Sequence, residues 1–177
     1  MKRMSRVCRA AVMAPILVFC SCGQTAEKPL GPSTYETAFG LLKEGKQDAA
    51  EETIARGVQR DQKNQRLVFF MGVCARSRWM KQDAAQIFHY VVKLNAETPE
   101  AKCSALMLAI DSQKAYEGSF GALEKLQQSH PEDPLLLWMT AVACRELGRR
   151  GAPKAYSEKG AQYYAKLLEI LDPGPVL

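Results

Sequence analysis

Six cysteines and two histidines are the residues of this chain with the widest chemical reach. Cys20 and Cys22 stand one residue apart in ILVFCSCGQTAE. A zinc site would need a second close pair, and after Cys22 there are only Cys74, Cys103 and Cys144, widely and unevenly spaced. That odd trio is no disulfide framework either, and it reads as small buried apolar side chains on helices. His89 stands beside Phe88, and His130 lies in SHPEDP. Neither has a second ligand at helical spacing. Glu51-Glu52 and Glu132-Asp133 read as a solvated helix face and an acid cluster at a helix start, where the dipole favours negative charge. No phosphate loop, nucleophile elbow or HExxH occurs. The expectation is a non-enzyme with no metal and no cofactor.

Cys20 and Cys22 make better sense as a processing site. Lys2, Arg3, Arg6 and Arg9 precede ten residues, Ala10 to Phe19, without charge or polar side chain, and the small Ser21 follows. Ten helical residues rise about 15 Å, half of a roughly 30 Å hydrocarbon layer, so the run suits an export signal rather than a permanent span. Leu17-Val18-Phe19-Cys20-Ser21-Cys22 resembles a bacterial lipoprotein processing site. Cys22 has the preferred small residue before it, with Phe19 where Leu is usual; Cys20 has Leu17 in register but the bulky Phe19 adjacent. The resemblance implies removal of residues 1–21 and lipidation of Cys22, with Cys20 as the alternative. It also implies a periplasm-facing protein held on the bacterial envelope by covalent acyl chains, touching the membrane through them alone. Residues 22–33, with GQTAEKPLGPS, form a linker. Of the formal charge of +5, the leader carries four basic residues and no acid, so the remainder holds 20 basic against 19 acidic residues. Such a balance gives nucleic acid no basic face.

Beyond the linker, apolar residues recur at helical spacing, predicting helices at 33–44, 47–60, 65–78, 81–94, 99–116, 119–129, 134–148 and 153–171. The blocks are also self-similar. A shift of 34 residues lays Ala38 on Gly72, Leu41 on Ala75, Gly45 on Trp79, Ala50 on Ala84 and Ile54 on Phe88. The last block keeps both ends of the pattern, from Thr140-Ala141 and Cys144 to Ala165, Leu168 and Pro173. It is lengthened at RRGAPKAYSEKG, expected as a longer loop or helix start. With Met71-Gly72, Ala75, Ala84, Phe88 and Val91 in pattern, Gln65–Thr98 resembles a tetratricopeptide repeat. The resemblance implies an all-α fold: a right-handed superhelix of about four helix–turn–helix units over residues 34–173, followed by a short tail, 174–177. Small residues at the crossings let paired helices approach closely, and stacking buries the faces that one pair leaves open.

The same resemblance implies a concave groove lined by the first helix of each unit. Its lining would be Tyr35, Phe39 and Leu42; Phe69, Val73 and Arg76; Ser104, Leu108 and Asp111; Trp138, Val142 and Arg145. Such an apolar, aromatic surface with guanidinium groups suits an extended or helical peptide. Packing of some of these aromatics against the linker or a neighbouring helix is the competing reading. The family's Lys and Asn clamp for a peptide C-terminus has no counterpart here. Tyr163, Tyr164, Leu167 and Leu168 crowd the last helix, with no capping helix after it, so that end is expected to dock on another protein or a second copy. The function implied is an adaptor for an envelope complex. The alternatives are a lipoprotein holding a small apolar ligand and a transporter accessory.

Overall fold

The structure is a computed structural model and describes residues 33–112 and 116–171. Cys20, Cys22, most of the linker and the tail lie outside these residues. The described chain is all-α. Its helices are α1 (Thr34–Lys43), α2 (Gln47–Arg60), α3 (Gln65–Ser77), α4 (Lys81–Leu94), α5 (Pro99–Asp111), α6 (Tyr116–Ser129), α7 (Pro134–Arg149) and α8 (Lys154–Leu171). Local chemistry fixes where the first helix of each pair begins. Ser33 and Glu36 form a reciprocal capping box on α1, and Asn64 caps α3. Thr98 and Asp133 cap α5 and α7, each followed by Pro at the first helical position, where no N–H is needed.

The helices pair as α1 with α2, α3 with α4, α5 with α6 and α7 with α8, and the pairs stack in chain order. Close approach needs small residues at the crossings. A Cβ on Gly72 would stand 2.6 Å from the Phe88 ring, and one on Gly160 2.9 Å from Cys144 Cβ. Cys74, Cys103 and Cys144 are buried, as the sequence suggests. Burial pushes the Cys144 thiol up to about 12, which makes it unreactive at neutral pH. One turn differs from expectation by more than a residue. The third pair turns earlier, with α5 ending at Asp111 and α6 starting at Tyr116, and the Ser112 hydroxyl bonds back to the Ala109 carbonyl at the cap. The extra length of the last unit goes into helix, one of the two expected forms: α7 has 16 residues and α8 has 18.

The larger departure concerns the inner face. Besides its neighbour α5, α7 packs directly on α3, two pairs away. The reason is the composition of α7. From Leu135 to Cys144 it presents an apolar residue in nearly every direction, and all but Trp138 are buried. A helix apolar all round must be enclosed. Its lone hydroxyl in that run, Thr140, is satisfied within the helix by the Leu136 carbonyl. α3, α5, α6 and α8 all pack against α7.

Candidate functional site

Charged side chains bind the first helices to one another at both ends, and they do so at the repeat spacing. At the N-terminal end, Arg66 of α3 donates to Glu100, 34 residues on, at 2.7 Å, and to Asp133, the α7 cap, at 2.8 Å. Its guanidinium also lies 4.7 Å from the centre of the Tyr35 ring on α1. Tyr35 in turn stacks on Phe39 and tilts against Phe70. Burial works against the charge on Arg66, but the bonds to Asp133 and Glu100 outweigh it and push its pKa up. One residue thereby touches the start of all four pairs, with two carboxylates for one cation.

The C-terminal end repeats the device with the balance reversed. Arg76 of α3, which has no exposed surface, grips Asp111 of α5 through two bonds of 3.0 and 2.8 Å. Glu146 of α7 stands 3.4 Å from the same guanidinium. Glu146 also accepts from Lys81, and Arg150 donates to it at 3.0 Å. Arg150 further donates to the Ile110 carbonyl at 2.7 Å, closing α7 onto the end of α5. Burial would raise the Glu146 carboxyl, but the Lys81 hydrogen bond and the charges of Lys81, Arg76 and Arg150 hold it down at about 2.

Trp79 stands over this cluster in an unusual backbone state. After α1, α3 and α7 the chain closes with the same pair of turn bonds: Gly45 to Leu42 and Lys46 to Leu41; Trp79 to Arg76 and Met80 to Ala75; Gly151 to Gly148 and Ala152 to Leu147. This turn requires a left-handed residue. Gly45 and Gly151 supply it at φ 72° and 81°, but the third position is Trp79, at φ 66°. A non-glycine residue there costs on the order of 1–2 kcal/mol. The Trp79 ring is 38% exposed, with the Arg145 and Arg149 guanidinium carbons 4.4 and 4.2 Å from its centre and Arg76 at 5.8 Å. Trp79, Lys81, Glu146, Arg149 and Arg150 line an open cavity of about 640 Å³. Arg76 Nη1 and Arg145 Nε and Nη2 are buried without a hydrogen-bond partner among the described residues.

The expected groove residues are distributed differently. Phe69, Val73 and Val142 are fully buried core, Phe39 is nearly so, and Ser104 bonds to the Glu100 carbonyl. Tyr35 belongs to the Arg66 staple; Leu108 and Trp138 are half-buried against the core. Phe39, Phe69, Val73 and Val142 are therefore core side chains rather than groove lining. Arg76, Asp111 and Arg145 do come together, in the cluster below Trp79. Of the residues expected to dock at the last helix, Leu167 is packed inward and only Leu168, at 63%, is exposed. Tyr163 donates to Glu124 of α6 at 3.1 Å, and Tyr164 is half-buried. Sequence reasoning passed over Arg66, Lys81, Glu146, Arg149 and Arg150, although Arg66–Glu100 and Arg76–Asp111 pair at one repeat length.

These features define a helical-repeat domain with a buried α7, an ion-pair staple at one end and a cationic and aromatic pocket at the other. No family model matches the chain, and no curated protein matches it. Solved structures similar to it include MamA from residue 41 to its end, from Desulfovibrio magneticus RS-1, and a MamA RS-1 double mutant. Each shares 18% identity, covering 79% of this chain and 74% of the other, with a TM-score of 0.42. A likeness at that level carries no assignment of function. Among the described residues no group of His, Cys, Asp or Glu is arranged to hold a metal ion, and no helix is long and apolar enough to cross a membrane.

Proposed function

We propose that this chain is a protein-binding adaptor of the bacterial envelope, tethered by acyl chains on Cys22, with Cys20 as the alternative, and facing the periplasm. The observation that carries protein binding is Trp79. A large aromatic is kept exposed, between guanidinium groups, at a position where two equivalent turns use glycine. Backbone strain of this kind persists where the surroundings hold it and a function uses it. Trp and Arg are also the side chains that dominate protein interfaces. The charged lining of the cavity does not suit the alternative occupant, a small apolar molecule. The tether rests on the cationic leader, the ten-residue apolar run and the small residue before Cys22.

Site-specific photo-crosslinking in intact cells tests the binding reading. A photoreactive residue at position 79 is expected to give a defined protein adduct, and one at the exposed Leu168 is the comparison. Adducts from 168 and none from 79 would move the interface to the last helix. Metabolic labelling with a fatty acid, comparing Cys22→Ser with Cys20→Ser, tests the tether. Retained label in both single variants and in the double variant would remove it.

A further inference from the structure

We infer that the pocket beneath Trp79 receives the carboxylates of an acidic peptide segment on the protein partner. This rests on the protein-binding reading and specifies what the site recognises. The charge count within the cluster is the first reason. Among the described residues, five cations (Arg76, Lys81, Arg145, Arg149 and Arg150) gather at this end with two carboxylates, Asp111 and Glu146, which are already shared among Arg76, Lys81 and Arg150. Arg145 and Arg149 have an aromatic ring and no carboxylate beside them in this cluster.

The unmet hydrogen bonds are the second reason. Arg76 Nη1 belongs to a side chain with no exposed surface, and Arg145 Nε and Nη2 are likewise buried and unpartnered. Arg76 and Arg145 stand behind the cavity wall, so their guanidinium charges add to its positive potential, and an oxyanion reaching past the Trp79 ring would satisfy the open N–H groups with charge-assisted bonds. These nitrogens belong to guanidinium groups beside the Trp79 ring, which itself lines the cavity.

Cavity shape and lining narrow the class of anion. About 640 Å³ is far more room than one phosphate fills, and Glu146 on the wall opposes a dense double negative charge. The exposed ring of Trp79 offers apolar contact beside the cations. A peptide with carboxylates spaced along it and an apolar side chain between them matches all three features. Nucleic acid would want a basic stripe across the surface, whereas these cations form one compact cluster.

The test uses the full chain and a fluorescein-labelled Glu-Leu-Glu-Glu-Leu-Glu peptide, followed by anisotropy. Saturable binding is expected, weakened by salt because it rests on charge. Arg149→Glu, at an exposed position, is expected to weaken it by about tenfold or more, and so is Trp79→Gly, which supplies the residue the turn prefers. Both variants are expected to keep the wild-type helical signal. Equal binding of a Lys-Leu-Lys-Lys-Leu-Lys peptide, no binding of the acidic one, or indifference to both substitutions would overturn the inference. Full displacement of the peptide by inorganic phosphate at equal concentration would also overturn it, in favour of a phosphate site. The crosslink at position 79 separates this from the reading beneath it. An adduct unchanged by Arg149→Glu leaves the adaptor standing and the acidic segment refuted; no adduct at all refutes the adaptor.

Discussion

The two ends of α3 hold the same kind of residue and give opposite results. Arg66 and Arg76 each reach a carboxylate one repeat length away on α5 and a second one on or capping α7. At the Arg66 end the anions outnumber the cation, Nη1 donates to both carboxylates, and Nη2 donates to the Tyr35 hydroxyl. At the Arg76 end, Lys81 and Arg150 join Arg76 on the two carboxylates, Arg145 and Arg149 lie against Trp79, and three buried guanidinium nitrogens have no hydrogen-bond partner among the described residues. In this chain the repeat-spaced pair with acids in excess is a structural staple, and the one with bases in excess lies beside the proposed receptive site.

Removing each arginine in turn should break the comparison most sharply. Arg76→Ala strips a fully buried charge from between two carboxylates and is expected to cost about 3–5 kcal/mol, read by urea unfolding. Arg66→Ala acts where the side chain is 36% exposed, and about 1–2 kcal/mol is expected. Equal losses would mean that the two ends do not differ in burial as described.

Acid should find the Arg76 end as well. The Glu146 carboxyl titrates near 2 in the folded chain against an ordinary 4.5, so its contribution to stability is complete above about pH 4.5. That contribution is lost as pH falls from there through about 2. Glu146→Gln should therefore be less stable than wild type at neutral pH, and the gap should shrink in that window. A gap that stays constant from pH 6 to pH 2 would contradict the coupling of Glu146 to its cations.

Trp79→Gly should have the smallest effect on stability. Relief of the left-handed backbone, on the order of 1 kcal/mol, opposes the loss of stacking with Arg145 and Arg149, of similar size. Unfolding within about 1 kcal/mol of wild type is expected. A loss of several kcal/mol would make Trp79 a core residue and not a binding one.

The helices were largely legible in the sequence because apolar periodicity, caps and Pro-led starts agree there. The intervals predicted for α2 and α4 are those observed. The contact of α7 with α3 was not, because a repeat pattern describes neighbours, whereas these helices meet two pairs apart. Its signal was present in PLLLWMTAVAC, which lacks the polar stripe an exposed face would need. For the site, Arg76, Asp111 and Arg145 were legible as members of one face. Their meeting needed that contact, and Trp79 was noted only as the partner of Gly45 in the alignment. Its left-handed backbone gives that substitution its meaning.

Hydrogen exchange of the full chain, with and without the Glu-Leu peptide, tests the difference between the two ends most directly. The account predicts added protection at the turn around Trp79 and at the end of α7 near Arg149 and Arg150, with none around Arg66, Glu100 and Asp133. Protection at the Arg66 end, or along the inner faces of α3 and α5, would contradict it.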